Sequence, residues 1–236
     1  MSILLLRLAG PLQSWGTQSR FIDRDTGYEP SKSGVIGLLC AALGRPREEP
    51  VADLAALRMG VRVDRPGTLM RDFHTAGGTH RQGDVYGVAQ ASGGIRSITS
   101  QRYYLADADF LVALEGQDDE LLQSLDRGLA VPRWPLCLGR KACVPGVPVR
   151  LPDEPPLGPG VRAGELEDIL RDYPWPERRY DWEPAPPSQL RLVLEAEPGE
   201  GFEVRNDVPI SFRIGHRRFS SRSIRTDWTI RQEVPA

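Results

Sequence analysis

Apolar residues along the chain fall into distinct kinds of run. Residues 2–9, SILLLRLA, are almost continuously apolar and are closed by Gly10 and Pro11. That pattern predicts a short buried strand. Residues 30–44, PSKSGVIGLLCAALG, instead put Val35, Ile36, Leu38, Leu39, Ala42 and Leu43 on one wide helical face. Ser31 or Ser33 can cap that helix and Gly44 stops it. Gly34 and Gly37 weaken it, which points to close approach of a sheet or a ligand. A second short helix is predicted from Pro50 to near Gly60, and a strand at 61–65.

The pattern then dissolves. Residues 75–100 are glycine-rich with scattered apolar positions, and no core can be built from them. Order returns with a buried strand at 109–115, a helix at 118–129 with Leu121, Leu122, Leu125 and Leu129 on one face, a loop at 132–146 and a strand at 147–151. The order strand, helix, strand, insertion, strand, helix, strand is the α+β, ferredoxin-like plan. It occupies residues 1–151, and the insertion falls in the hairpin between its second and third strands. Residues 152–188 are an acidic, proline-rich connection with a short helix at 164–172. Residues 189–236 form a β-rich extension, with strands at 190–196 and 208–214 and a basic tail.

Composition narrows the function. The chain has 24 glycines and 21 prolines among 236 residues, so loops are abundant. No apolar run approaches the ~20 residues of a membrane span. The opening residues do not read as a signal peptide, because Arg7 interrupts the run. A cytoplasmic protein is expected. Cys40, Cys137 and Cys143 make neither a disulfide framework nor a zinc ligand set. No metal or cofactor is expected. The net charge of −2 hides two regions. Residues 151–203 carry 13 acids against 5 arginines, a balance of −8, and residues 204–231 carry 7 arginines against 2 acids, a balance of +5. A polyanion needs only the basic face.

The chain has two lysines. Lys32 stands between Ser31 and Ser33 at a helix start, where free N–H groups favour an anion. Lys141 follows Gly139 and Arg140 in PLCLGRKACVPG, residues 135–146. A glycine for close approach, a guanidinium and an ammonium suit a phosphate grip. After the first strand, Gln13 can read base edges, Trp15 can stack and Arg20 can hold backbone. His74, Tyr103 or Tyr104, and Lys141 have the group types that metal-independent RNA cleavage needs. No P-loop, GxSxG or HExxH motif occurs.

LRLAGPLQSWG, PSKSGVIGLL, LMRDFHT, RYYLADADF and PLCLGRKAC occur in that order. In order and spacing they resemble the CasD (Cas five) family, the RAMP-superfamily subunits of type I-E CRISPR Cascade. The resemblance covers residues 1–150 strongly. It implies a palm of RRM-like, ferredoxin-like fold with a thumb at 75–100. It implies a non-catalytic RNA-binding subunit that caps the Cascade backbone and holds the 5′ handle of crRNA. Its partners would be the neighbouring backbone subunit and the large subunit, with target DNA met through the assembled complex. Carried onto this sequence, the palm contacts are Gln13, Trp15, Ser31, Lys32, Ser33, Arg140 and Lys141, with Arg20 and Gly139 as further RNA-binding candidates, and the thumb-side candidates are Arg81, Arg96 and Arg102. Two alternatives stand beside this: an endoribonuclease that trims CRISPR repeat RNA, and an RNA-binding module outside CRISPR.

Overall fold

The apolar run at the start of the chain is strand β1 (Ser2–Ala9), and its side chains feed two cores. Leu4, Leu6 and Leu8 enter one, Ile3 and Leu5 the other, as alternation on a pleated strand requires. The computed structural model describes residues 1–18, 22–79, 85–89, 93–153, 158–176, 187–197 and 199–230. After β1 come β2 (Leu12–Gln13), β3 (Asp23–Arg24), α1 (Lys32–Leu43), α2 (Ala52–Ala55), β4 (Arg58–Arg65) and β5 (Thr68–Ala76). The inserted region holds β6 (Gly78–Thr79), β7 (Val85–Tyr86), β8 (Val88–Ala89) and β9 (Ile95–Arg96). Then follow β10 (Ile98–Ala106), β11 (Asp109–Gly116), α3 (Asp119–Ala130), β12 (Val161–Ala163), α4 (Leu166–Asp172), β13 (Gln189–Ala196), β14 (Glu203–Ser211) and β15 (Arg218–Ile230).

Seven strands form the main sheet in the order β12-β1-β11-β4-β13-β15-β14, paired antiparallel throughout. Helices α1, α2 and α3 contribute Ile36, Leu39, Leu54, Leu122 and Leu125 to the larger core on one side. Helix α4 puts Leu166 and Leu170 against Leu192 and Leu194 on the other. Caps fix where the long helices begin. Ser31 Oγ accepts from Gly34 N–H, and the Asp118 side chain accepts from Leu121 N–H.

Four expectations need correction. The strand at 147–151 shrinks to one bridge, Leu6 opposite Arg150, with Arg7 N–H donating to Val149 O. Pro148 has no N–H and cannot take part in a full ladder, and β12 completes that edge instead. The helix at 50–60 is a single turn, because β4 already begins at Arg58. The strand at 208–214 lies at Glu203–Ser211. Arg218–Ile230, read as a basic tail, is a 13-residue strand between β13 and β14.

Strands β5 and β10 make a separate antiparallel hairpin, from Thr68 opposite Ala106 to Ala76 opposite Ile98. Most of β5 is exposed. The far edge of β10 is covered by β2 and β3.

Candidate nucleic-acid interface

The start of α1 is where an anion would be expected, and an anion is there: the carboxylate of Asp207. Its Oδ2 accepts the backbone N–H of Lys32 at 2.8 Å. The same carboxylate takes the Arg222 guanidinium at 2.7 and 3.0 Å. The Lys32 side chain is 2 % exposed, and its Nζ donates to both oxygens of Glu195 at 2.8 and 2.9 Å. The four charges are two of each sign, so the cluster is neutral and buried together. Burial pushes the Lys32 ammonium below the usual lysine value, and Glu195 pulls it partly back. Burial would raise Asp207, but Arg222 and the Lys32 amide outweigh it and hold the carboxyl below the usual aspartate value. The phosphate site expected at Ser31 and Lys32 is therefore filled from within. Ser31 is buried as the helix cap, and only Ser33 of the three is partly open.

Gln13 and Trp15 are also structural. Gln13 Nε2 donates to Leu8 O and Ala108 O, and its Oε1 accepts the Trp15 indole N–H at 3.0 Å. Trp15 is 1 % exposed and sits in the larger core. Gln13 is fully buried, and Trp15 borders the groove described below with only 1 % of its surface exposed. Residue type suited both to bases, but Gln13 is held by a carbonyl 95 residues away in the chain.

Arg140 ties loops together. It donates to Tyr103 O, Arg24 O and Asp25 O, and its guanidinium covers the Tyr104 ring at 4.7 Å. Gly139 lies directly on backbone. A Cβ there would stand 1.8 Å from Ser14 O, and φ is +89°. Its close approach is to Ser14, with Ser14 N–H donating to Leu138 O. The two residues hold the 135–146 loop in place and leave Lys141 exposed.

That loop, α1 and the β14–β15 turn enclose an open groove of about 1160 Å³. Trp15, Ser31, Ser33, Gly139, Arg140 and Lys141 line it, so the structure brings three of the expected segments to one place. Residues not singled out in the sequence complete it: Arg45, Arg47, Trp134, Arg217 and Phe219. Arg45 is held by Asp53 at 2.6 and 2.8 Å. Arg47, Lys141 and Arg217 are exposed and make no ion pair among the described residues. Glu48 and Asp25 also line the groove. The exposed turn 213–218 carries Arg213, His216, Arg217 and Arg218 without an acid, a run of charge that was legible in the sequence.

The thumb-side candidates stand elsewhere. Arg96 is exposed on β9. Arg102 on β10 donates to Ser100 Oγ and faces Asp72 in register. Arg20 and Arg81 lie outside the described residues. The cleavage set is not assembled. His74 on β5 faces Ser100 and has Asp72 3.5 Å from its Nδ1. Tyr104 is four strand positions away, roughly 13 Å at about 3.3 Å per residue, and is buried under Arg140. Tyr103, three positions from Ser100, points to the opposite face of the hairpin.

Residues 3–225 match the family model of the CRISPR-associated protein (Cas_Cas5), and the chain belongs to that family. Within it, the chain is similar to the CRISPR system Cascade subunit CasD of Escherichia coli (strain K12). The two are 35% identical over 159 residues, 60% of this chain and 66% of that relative, a match just short of two thirds of its length. Two solved structures are similar over nearly the whole chain. A Cas protein crystal structure is 44% identical with a TM-score of 0.72, covering 99% of this chain and 97% of that one. A chain of a CRISPR RNA-guided surveillance complex is 39% identical with a TM-score of 0.78, covering 97% and 90%.

Proposed function

We propose that this chain is the non-catalytic, crRNA-binding subunit of a type I-E Cascade complex. It holds the 5′ handle, caps the backbone beside the neighbouring backbone subunit, and contacts the large subunit. Target DNA is met through the whole assembly, in the cytoplasm. The order β12-β1-β11-β4, with helices in the connections, supports reading this part as a ferredoxin-like palm. The exposed β5–β10 hairpin supports reading it as the base of the thumb. The observation that carries the RNA reading is the groove, with Arg47, Lys141 and Arg217 exposed along it and exposed aromatic rings beside them. Cations that follow a backbone, together with aromatic faces, are how single strands are held without sequence reading.

The test uses the purified chain and single-stranded repeat RNA across a salt series. Replacing Arg47, Lys141 and Arg217 together with alanine weakens binding and lowers the salt slope by about two, at roughly 0.7 per phosphate contact. Unchanged affinity and slope in the triple variant rule the groove out. Wild-type protein incubated with the same RNA in EDTA leaves it intact. Cleavage that disappears in His74→Ala would restore the endoribonuclease reading.

A further inference from the structure

Phosphate recognition explains the cations of the groove but not its rings. Trp134 is 43% exposed and Phe219 is 39% exposed. They reach the groove from different segments, the loop after α3 and strand β15. Trp134 N–H donates to Ala41 O, which fixes its backbone against α1. Ala41 lies one turn from Gly37 on the same face of that helix. Gly37 also lines the groove, and nothing stands within 4 Å of where its Cβ would be. The floor beside the rings is therefore bare helix backbone. A volume of about 1160 Å³ holds more than one nucleotide's worth of atoms. Glu48 also lines the groove, and its carboxylate repels a phosphate beside it.

Resting on the nucleic-acid reading above, we propose that this part of the groove is a pocket for one unpaired base of a single strand. The base stacks on Trp134 or Phe219 over the bare surface at Gly37. Arg47, Lys141 and Arg217 take the phosphates on either side. The pocket thereby discriminates a base from an empty sugar, which a charged track alone cannot do.

Gly37→Leu tests this without straining the fold, because the new side chain enters open space and leucine favours helix over glycine. Its Tm is expected to stay level or rise. The probe is an oligoadenylate RNA of about eight nucleotides, within the span such grooves hold, set against an abasic oligonucleotide of the same length. Wild-type protein is expected to bind the oligoadenylate about tenfold more tightly, as one stacked base implies. Gly37→Leu brings it to the abasic level and leaves abasic binding unchanged. The Trp134→Ala, Phe219→Ala double variant does the same, and stands in if Gly37→Leu folds poorly. Wild-type affinity for oligoadenylate in both variants overturns the pocket and leaves the RNA reading standing. An equal fall for both probes also overturns it, since the groove then admits backbone alone. Failure of the wild type to bind either probe overturns the pocket and the RNA reading together.

Discussion

Arg62 lies in the middle of β4, buried on the side of the sheet that α4 covers. It donates to Asp64 on its own strand and to the carbonyls of Leu170, Tyr173 and Pro174. One guanidinium therefore satisfies the end of α4 and fixes the chain that follows it. The cost appears at Asp64, where burial pushes the carboxyl up to about 6 against the pull of Arg62. Asp207 is shifted the other way, below its usual value. The two carboxyls give stability opposite pH dependences. Asp64 favours the folded state at acid pH, and that contribution is lost as pH rises from about 4 through 6, on the order of 2–3 kcal/mol. Asp207 contributes stability above pH ~4 that is lost as pH falls through its depressed value. Urea titrations at a series of pH values should show the slope between pH 4 and 6 flatten in Asp64→Asn. The fall below pH 4 should soften in Asp207→Asn. A wild-type profile that both variants reproduce would remove this assignment.

At the scale of elements, the two lysines separate cleanly. Lys32→Met removes the buried ammonium from a part-buried Glu195, which keeps Arg222 and the Met59 N–H, and breaking a fully buried pair costs about 3–5 kcal/mol, an upper bound here. Thermal unfolding of that variant should show a large loss, while its RNA affinity per folded molecule stays unchanged. Weakened RNA binding by well-folded Lys32→Met would mean that the start of α1 does reach the ligand. Strands β1 and β11 and helices α1 and α3 were legible because apolar periodicity reports directly on burial. Strand β15 was not, because Ile224 is its one fully buried apolar side chain among alternating arginines, serines and threonines. The strand expected at 147–151 was misread because apolar valines outweighed the prolines between them. Residue type singled out Lys141 and Ser33, and the structure places both at the groove. It could not foretell that Lys32, Gln13 and Trp15 are buried, because residue type says nothing of a partner that folding brings from elsewhere in the chain. Trp134 and Phe219 carried no local signal that set them apart from core aromatics.

At the scale of the whole molecule, some acids of the acidic stretch pair, among the described residues, with arginines of the basic one. Glu195 pairs with Arg222, and Glu167 and Asp227 share Arg225 and Arg171. Among the described arginines of residues 204–231, those left exposed are Arg213, Arg217 and Arg218, at the turn between β14 and β15. The last three strands continue the sheet that β1 begins, with Val193 and Ile224 in the same core as Leu4 and Leu39. A chain ending at residue 188 should therefore fail to unfold cooperatively in urea. It loses the cover of β4, and Lys32 loses both Glu195 and Asp207. A sharp, reversible transition in that truncation would show that residues 1–188 fold without the last three strands.

The bond from Lys32 to Asp207 spans 175 positions. During synthesis the first helix therefore emerges long before the carboxylate that completes its start. Until then its opening amide is answered by water, and the Lys32 ammonium has no buried partner. Contacts of such sequence separation slow folding. They also make the finished N-terminal helix a record that the C-terminal strands have arrived.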